Sequence, residues 1–285
     1  MRRQEGFSLV ELMIALVLGL IISGSVIQIM SSSKVTERLN RAVASAQESG
    51  RFIMGRLRQD ILTAGRYDAL DPNLSRIVDI VDEAAFLQNR PVILPNDFAS
   101  EPGLGSIQGA SGTNDTLVVA AQGLRDCRGY KLGYADDEEF FVVNRYFVEG
   151  TSLRCVGYDG RVLRGQKGAE GNNGDLAFTI LDDVHGFQVM YGISNHDDTV
   201  ANSARPVRYV TADQLALERT LESAVVAIRI AVLVKGDSPV VIDPIPSFKL
   251  LNEPIQTPGD TGFYRQFETT ITLRNVKNFL RSKKL

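Results

Sequence analysis

Hydrophobic and polar positions divide the chain into three stretches. From Phe7 to Met30 the side chains are overwhelmingly apolar, and Glu11 is the single charged residue among them. As a helix rising about 1.5 Å per residue, this stretch is roughly 36 Å long, enough to cross a hydrocarbon layer of about 30 Å. From Ser33 the composition turns polar, yet helical spacing persists: Leu39, Val43, Ala46, Ile53, Leu57, Ile61 and Ala64 fall mostly three or four apart. Lys34, Glu37, Arg38, Arg41, Glu48, Arg51, Arg56 and Arg58 occupy other positions, and no proline occurs before Pro72. One long helix, apolar all round and then amphipathic, is predicted to about Ala64, with Gly65 as its stop. Gly19, Gly24, Gly50 and Gly55 are potential weak points, each costing up to about 1 kcal/mol relative to alanine. Any melting of the apolar half would start at Gly19 or the Ser23-Gly24-Ser25 step. The amphipathic stripe is expected to bury against the domain that follows.

Beyond Gly65 the pattern changes. Residues 66–115 are rich in Pro, Gly, Asp and Asn and read as loops with short elements such as Ile77–Val81. Strand patterns follow at Thr116–Ala121, Glu139–Val148, Phe187–Tyr191, Ala224–Lys235 and Phe267–Leu273. Leu153–Val156 and Arg161–Arg164 are read as a small hairpin across Tyr158-Asp159-Gly160. Thr211–Leu221 is read as a helix capped by Thr211 or Asp213. Gly165–Asp175 and the proline-rich Ser238–Pro258 are loops. Strands separated by turns predict an antiparallel sheet, and a long helix followed by such a sheet is an α+β fold. There is no internal repeat.

With 285 residues the chain is long enough for a proper core, and a formal net charge of −3 gives no global signal for nucleic acid. His185 and His196 are the only histidines, so a multi-histidine metal site is excluded within one chain. No serine lies in a GxSxG context. Gly160–Lys167 lacks the Lys-Ser/Thr pair of a phosphate loop, and Gly103–Gly109 misses dinucleotide spacing by one residue. The acidic runs Asp136-Asp137-Glu138-Glu139 and His196-Asp197-Asp198 offer oxygen ligands for Ca²⁺, but solvated loops account for them more simply. The basic tail with Arg281, Lys283 and Lys284 reads as a solvated end before it reads as a contact for DNA or a partner. No enzyme, cofactor or metal is expected. Cys127 and Cys155 are too few for a zinc framework; they are one disulfide in an oxidising compartment or two separate thiols.

Glu11 needs a reason. A charged side chain at membrane depth costs of order 3 kcal/mol on insertion scales. Arg2 and Arg3 precede the apolar segment and favour a cytoplasmic N-terminus. A secretory signal peptide would use Leu12–Ile22 as its apolar region and Ser23 and Ser25 before the cut. Glu11 is misplaced for that, and the apolar pattern continues through Val26, Ile27, Ile29 and Met30. A plain membrane anchor gives the acid no role.

The run Gly6–Leu16 (GFSLVELMIAL) resembles the N-terminus of the type IV pilin and type II secretion pseudopilin superfamily. A short basic leader ends in Gly6, Phe7 follows, and Glu11 becomes the fifth residue after the cut. RLRQDILTAGRY (Arg56–Tyr67), LDDVHGFQVMYG (Leu181–Gly192) and AVVAIRIAVLVK resemble PilW-type minor pilins. FETTITLRN (Phe267–Asn275) resembles a motif shared by those pilins and GspJ-type pseudopilins. The resemblance implies cleavage by a prepilin peptidase between Gly6 and Phe7, then N-methylation of Phe7. It also implies pairing of the new Phe7 amine with Glu11 of a neighbouring subunit.

The organisation implied is a leader (1–6), a transmembrane and polymerisation half-helix (7–30), an amphipathic half-helix (31–65) and a β-rich periplasmic domain (66–285). The implied protein is single-pass in the inner membrane and later part of the pilus, at or near its tip. The implied partners are other minor pilins, the major pilin, the prepilin peptidase and the inner-membrane assembly platform. A disulfide between Cys127 and Cys155 then fits an oxidising periplasm. The implied work is priming of pilus assembly, serving motility, adhesion or DNA uptake. Two alternatives stand: a GspJ-like pseudopilin of type II secretion, and a membrane-anchored periplasmic binding protein that never polymerises.

Overall fold

The computed structural model describes residues 8–194, 205–221 and 223–276. Helix α1 spans Leu9–Leu62, about 80 Å at the usual helical rise. Ser8 caps it, Thr63 closes it, and Gly65 follows in a left-handed conformation with φ +73°. Every residue from Ser8 to Arg41 is exposed. From there Ala42, Ala46, Gly50, Ile53, Leu57 and Ile61 are buried, at steps of four or three. This is the predicted stripe, rotated slightly: Val43 and Leu39 lie at its margin, while Ala42 and Gly50 lie inside it. Gly50 sits against the ring of Phe267, where a larger side chain would collide. It is a point of close approach as well as a weak helix former.

The remaining elements are α2 (Ile80–Asn89), β1 (Leu117–Gly123), β2 (Phe140–Glu149), β3 (Ser152–Asp159), α3 (Gly160–Leu163), β4 (Phe178–Leu181), β5 (Val184–Ile193), β6 (Arg208–Val210), α4 (Ala212–Thr220), β7 (Val225–Lys235) and β8 (Tyr264–Thr272). The strands form two antiparallel sheets of four strands, ordered β1-β2-β3-β4 and β6-β5-β7-β8. The expected single sheet is therefore two. The amphipathic half of α1 lies mainly on β8 and β7 and touches β4, so it binds both sheets. Their shared core joins Ile53, Leu57 and Ile61 of α1 to Tyr146 and Cys155 of the first sheet and to Phe187, Ile228 and Ile271 of the second. The first sheet is buried on its other face too, where Val118, Phe141 and Val143 pack on Leu87 of α2 and on Phe98. That is why β2 opens with the continuous apolar run Phe140-Phe141-Val142-Val143.

Three local expectations are corrected. The short element at Ile77–Val81 is the approach to α2, whose cap Asp79 accepts hydrogen bonds from the Val81 and Asp82 N–H groups. No hairpin turns at Tyr158-Asp159-Gly160. Instead β3 pairs with β2 across the Gly150-Thr151 turn, with Tyr146 opposite Cys155. Arg161–Arg164 is helical rather than extended, because Asp159 accepts the Arg161 N–H and starts the single turn of α3. Strands β4 and β6 are not expected from the sequence pattern. Thr211 caps α4 as expected, and Gly165–Asp175 and Ser238–Pro258 are largely irregular.

Candidate assembly site

Along the exposed half of α1, Leu9–Met30 presents apolar side chains on every face, and none of its most apolar window is buried. By length and composition this is the one described helix able to cross a membrane. Gly6 and Phe7 lie outside the described residues. Glu11 is exposed within the first turn. Its Oε2 accepts the Ser8 N–H at 3.0 Å, and the Ser8 side chain accepts the Val10 N–H at 3.3 Å. Ser8 and Glu11 thus make a capping box. Among the described residues Oε1 has no donor. The acid is half satisfied by its own helix end, where backbone N–H groups and the macrodipole favour a negative charge.

The globular end of α1 is fixed by polar contacts. Asp60 accepts from the Tyr146 hydroxyl at 2.8 Å and from Arg56 Nε at 3.1 Å, and Arg56 Nη2 donates to the Cys127 carbonyl at 2.9 Å. Burial pushes the Asp60 carboxyl above its ordinary value, against the opposing pull of Tyr146 and Arg56. Cys127 and Cys155 form a disulfide with Cα atoms 6.4 Å apart. It ties the loop after β1 to β3, directly beneath this helix anchor. The sequence expectation for the pair holds.

Sequence reasoning missed two buried ion clusters. Arg161 and Glu83 are both fully buried and doubly bonded, Nε to Oε2 at 2.7 Å and Nη2 to Oε1 at 2.9 Å. The Tyr67 hydroxyl also donates to Glu83 at 3.0 Å, and Arg161 Nη2 donates to the Ser75 carbonyl at 2.8 Å. This clamp joins α2, α3 and the segment after α1. Arg128 makes a two-nitrogen contact with Asp126 and donates to carbonyls of Gly157, Asn172 and Asp175. It thereby holds down the glycine-rich loop. The Arg161–Glu83 pair has no local sequence signature, since its partners lie 78 positions apart; Asp126 and Arg128 are near neighbours, but the carbonyls that complete their cluster are distant in the chain.

The acidic run near residue 136 divides in two. The Asp136 side chain is exposed and pairs with Lys131 and Arg125, whereas Glu139 takes bonds from Arg66 and Gln122 inside the fold. Among the described residues no three His, Cys, Asp or Glu side chains are grouped to hold a metal. His196-Asp197-Asp198 and the basic tail lie outside the described residues.

Residues 1–27 match the family model described as the prokaryotic N-terminal methylation motif. Residues 140–275, from the start of β2 to just past β8, match the model described as Type IV Pilus-assembly protein W. Between them the two models take in more than half the sequence. A type IV-like pilin from Thermus thermophilus is similar at 14% identity and a TM-score of 0.32, over 74% of this chain and 99% of that one, too slight a likeness to support any inference. No curated protein matches the chain. A methylation motif on a long exposed apolar helix, followed by this sheet domain, defines a type IV pilin-like protein. Within that class, residues 140–275 are similar to the family described as Type IV Pilus-assembly protein W.

Proposed function

We propose that the chain is a minor pilin that joins an initiating or tip complex and primes polymerisation of the pilus, and that it performs no catalysis. The leader, residues 1–6, is removed on the cytoplasmic face and Phe7 is methylated. Residues 7–30 hold the subunit in the inner membrane with residues 66–285 in the periplasm, until the subunit passes into the fibre. The amphipathic half-helix, 31–65, is the mount for the domain, and the two sheets choose the partners. These partners are the other minor pilins and the major pilin, delivered by the assembly platform.

The observation that carries this reading is Glu11, a lone acid in an otherwise apolar exposed segment. Its Oε2 is engaged by Ser8, and its Oε1 has no donor among the described residues. A charge in lipid becomes tolerable when it gains a partner, and the penalty falls on the unpaired state. The methylated Phe7 amine of an adjoining subunit is such a partner, so pairing favours assembly and sets register.

Mass spectrometry of the native protein tests the processing: loss of residues 1–6 with one added methyl supports it, and an intact Met1 rejects it. Glu11→Ala should insert into membranes normally but enter fibres poorly, and unchanged incorporation would remove the pairing role. Deleting the gene should abolish surface pili and leave enzyme secretion intact; the opposite outcome would assign the chain to type II secretion.

A further inference from the structure

Just past the apolar segment, α1 carries Lys34, Arg38 and Arg41. Steps of four and three place them on one face of the helix. All three are exposed, and the globular domain covers α1 only from Ala42 onward. Arg41 pairs with Glu37 one turn back, both side chains more than half exposed. Lys34 and Arg38 make no ion pair among the described residues. The three cations thus form an exposed collar between apolar helix and domain, with Lys34 and Arg38 unpaired among the described residues and Arg41 shared with Glu37.

Their depth is set by helix geometry. With Met30 at the hydrocarbon edge, the helical rise puts Lys34 about 6 Å, Arg38 about 12 Å and Arg41 about 17 Å beyond it. The headgroup layer adds roughly 5–8 Å on each side of the hydrocarbon. Lysine and arginine stems several ångströms long can turn back toward it. Their charge bias is also unusual. Arg2 and Arg3 flank the inner end of the segment, whereas three cations flank the outer end, against the ordinary excess of basic residues inside. Removal of residues 1–6 deletes both inner arginines and leaves the collar as the only basic side chains beside the span. Nothing about crossing the membrane requires cations there.

We propose that Lys34 and Arg38, with Arg41 adding longer-range attraction, bind the phosphate groups of anionic lipids in the periplasmic leaflet and so fix the depth at which the subunit waits before assembly. The proposal rests on the membrane-spanning reading of α1. Lipid is the occupant because the collar is continuous with the apolar segment, and Lys34 and Arg38 come within side-chain reach of the phosphate layer while Arg41 lies just beyond it. Each cation near such a surface is worth roughly a fivefold preference. The contact is electrostatic and salt-sensitive, so it restrains the subunit without preventing extraction.

The test uses the full-length chain reconstituted in phosphatidylcholine vesicles containing either spin-labelled phosphatidylglycerol or spin-labelled phosphatidylcholine. The motionally restricted fraction of each label gives the preference for anionic lipid. Lys34→Gln/Arg38→Gln/Arg41→Gln should reduce that preference at least roughly threefold, and high salt should do the same to the unsubstituted protein. Glutamine keeps helix propensity, and circular dichroism checks the fold. Arg51→Gln/Arg58→Gln, further along α1, should leave the preference unchanged. Arg2 and Arg3 are present in all the proteins, so they cancel in the comparison. Equal preference in the unsubstituted and triply substituted chains overturns the proposal. So does unchanged lipid preference accompanied by lost co-purification of partner pilins, which would reassign the collar to an acidic protein surface. Neither processing nor polymerisation enters this readout, so failure of the pilin reading would show separately, as an uncut chain absent from fibres.

Discussion

Gly50 of α1 lies so close to the ring of Phe267 on β8 that a β-carbon on the glycine would collide with the ring's Cε2 and Cζ. Gly236, at the end of β7, meets the Ala42 carbonyl of α1 just as closely. Two missing side chains, one on each element, let the assembly helix settle onto the second sheet. Helix propensity alone says Gly50→Ala should stabilise by up to about 1 kcal/mol. Overpacking costs about 1–3 kcal/mol, so the substitution should destabilise by about 1 kcal/mol net. In a Phe267→Ala background the same change should become stabilising. Urea unfolding of the four proteins in mild detergent reads the sign directly, and a stabilising effect in both backgrounds would remove the steric account.

The Cys127–Cys155 bond closes a loop spanning 28 sequence positions. In the chain-entropy model a loop of that size contributes roughly 3.5 kcal/mol. Cys127→Ser/Cys155→Ser should lower stability by about that amount. The Arg56 contact to the Cys127 carbonyl places the loss beneath α1. Hydrogen exchange should therefore rise first around Arg56–Leu62 and β3. Uniform acceleration across both sheets would argue against a local anchor.

Arg161 and Glu83 are buried with no solvent to share their charges. Glu83→Gln leaves a buried guanidinium without its counter-charge, a loss of about 3–5 kcal/mol by analogy with other broken buried pairs. Glu83→Leu/Arg161→Met removes both charges and should cost much less than the single change. Denaturant midpoints of the single and double variants test this, and additive losses would show that the pair is not coupled.

The long helix and the assembly acid were legible because they depend on local pattern. The three-and-four stripe from Ala42 to Ile61 is continuous, Gly65 supplies the left-handed stop, and Glu11 is the only charge in its segment. Ser8-Leu9-Val10-Glu11 also carries the capping-box spacing, so the helix start too is written in the sequence. Helix α2 was hidden by its turn-rich surroundings and its ten-residue length. Division into two sheets was not legible, since which strands pair is settled by long-range packing around α1 rather than by alternation. Strand β4 is only four residues long and follows a loop fastened by Arg128 from elsewhere in the chain. The local pattern around Arg161 reads as strand, because its partner Glu83 lies far away in the sequence.

Asp115 gives the domain a pH dependence whose sign can be stated. It is nearly fully buried before β1 and accepts the Gly109 and Val189 N–H groups, each at 2.8 Å, so it links the first sheet to β5. Burial, with smaller contributions from Glu253 and Asp213, outweighs those two bonds and pushes the carboxyl up to about 6 from an ordinary 3.8. A folded value above the unfolded one means that protonation favours the fold. The stabilisation is complete below the unfolded value and is lost as pH rises through the folded one. Between pH of about 4 and 6.5 the unsubstituted chain should lose up to about 3 kcal/mol more stability than Asp115→Asn. Asp60 and Asp159 are also raised by burial and act in the same direction in both proteins. Asp260, lowered to about 2 chiefly by Lys235, acts only in stronger acid and in the opposite sense. Denaturation of both proteins across this pH range isolates the Asp115 contribution as the difference between their curves. Parallel curves would mean that the carboxylate stays ionised in the fold, with its two backbone bonds prevailing over burial.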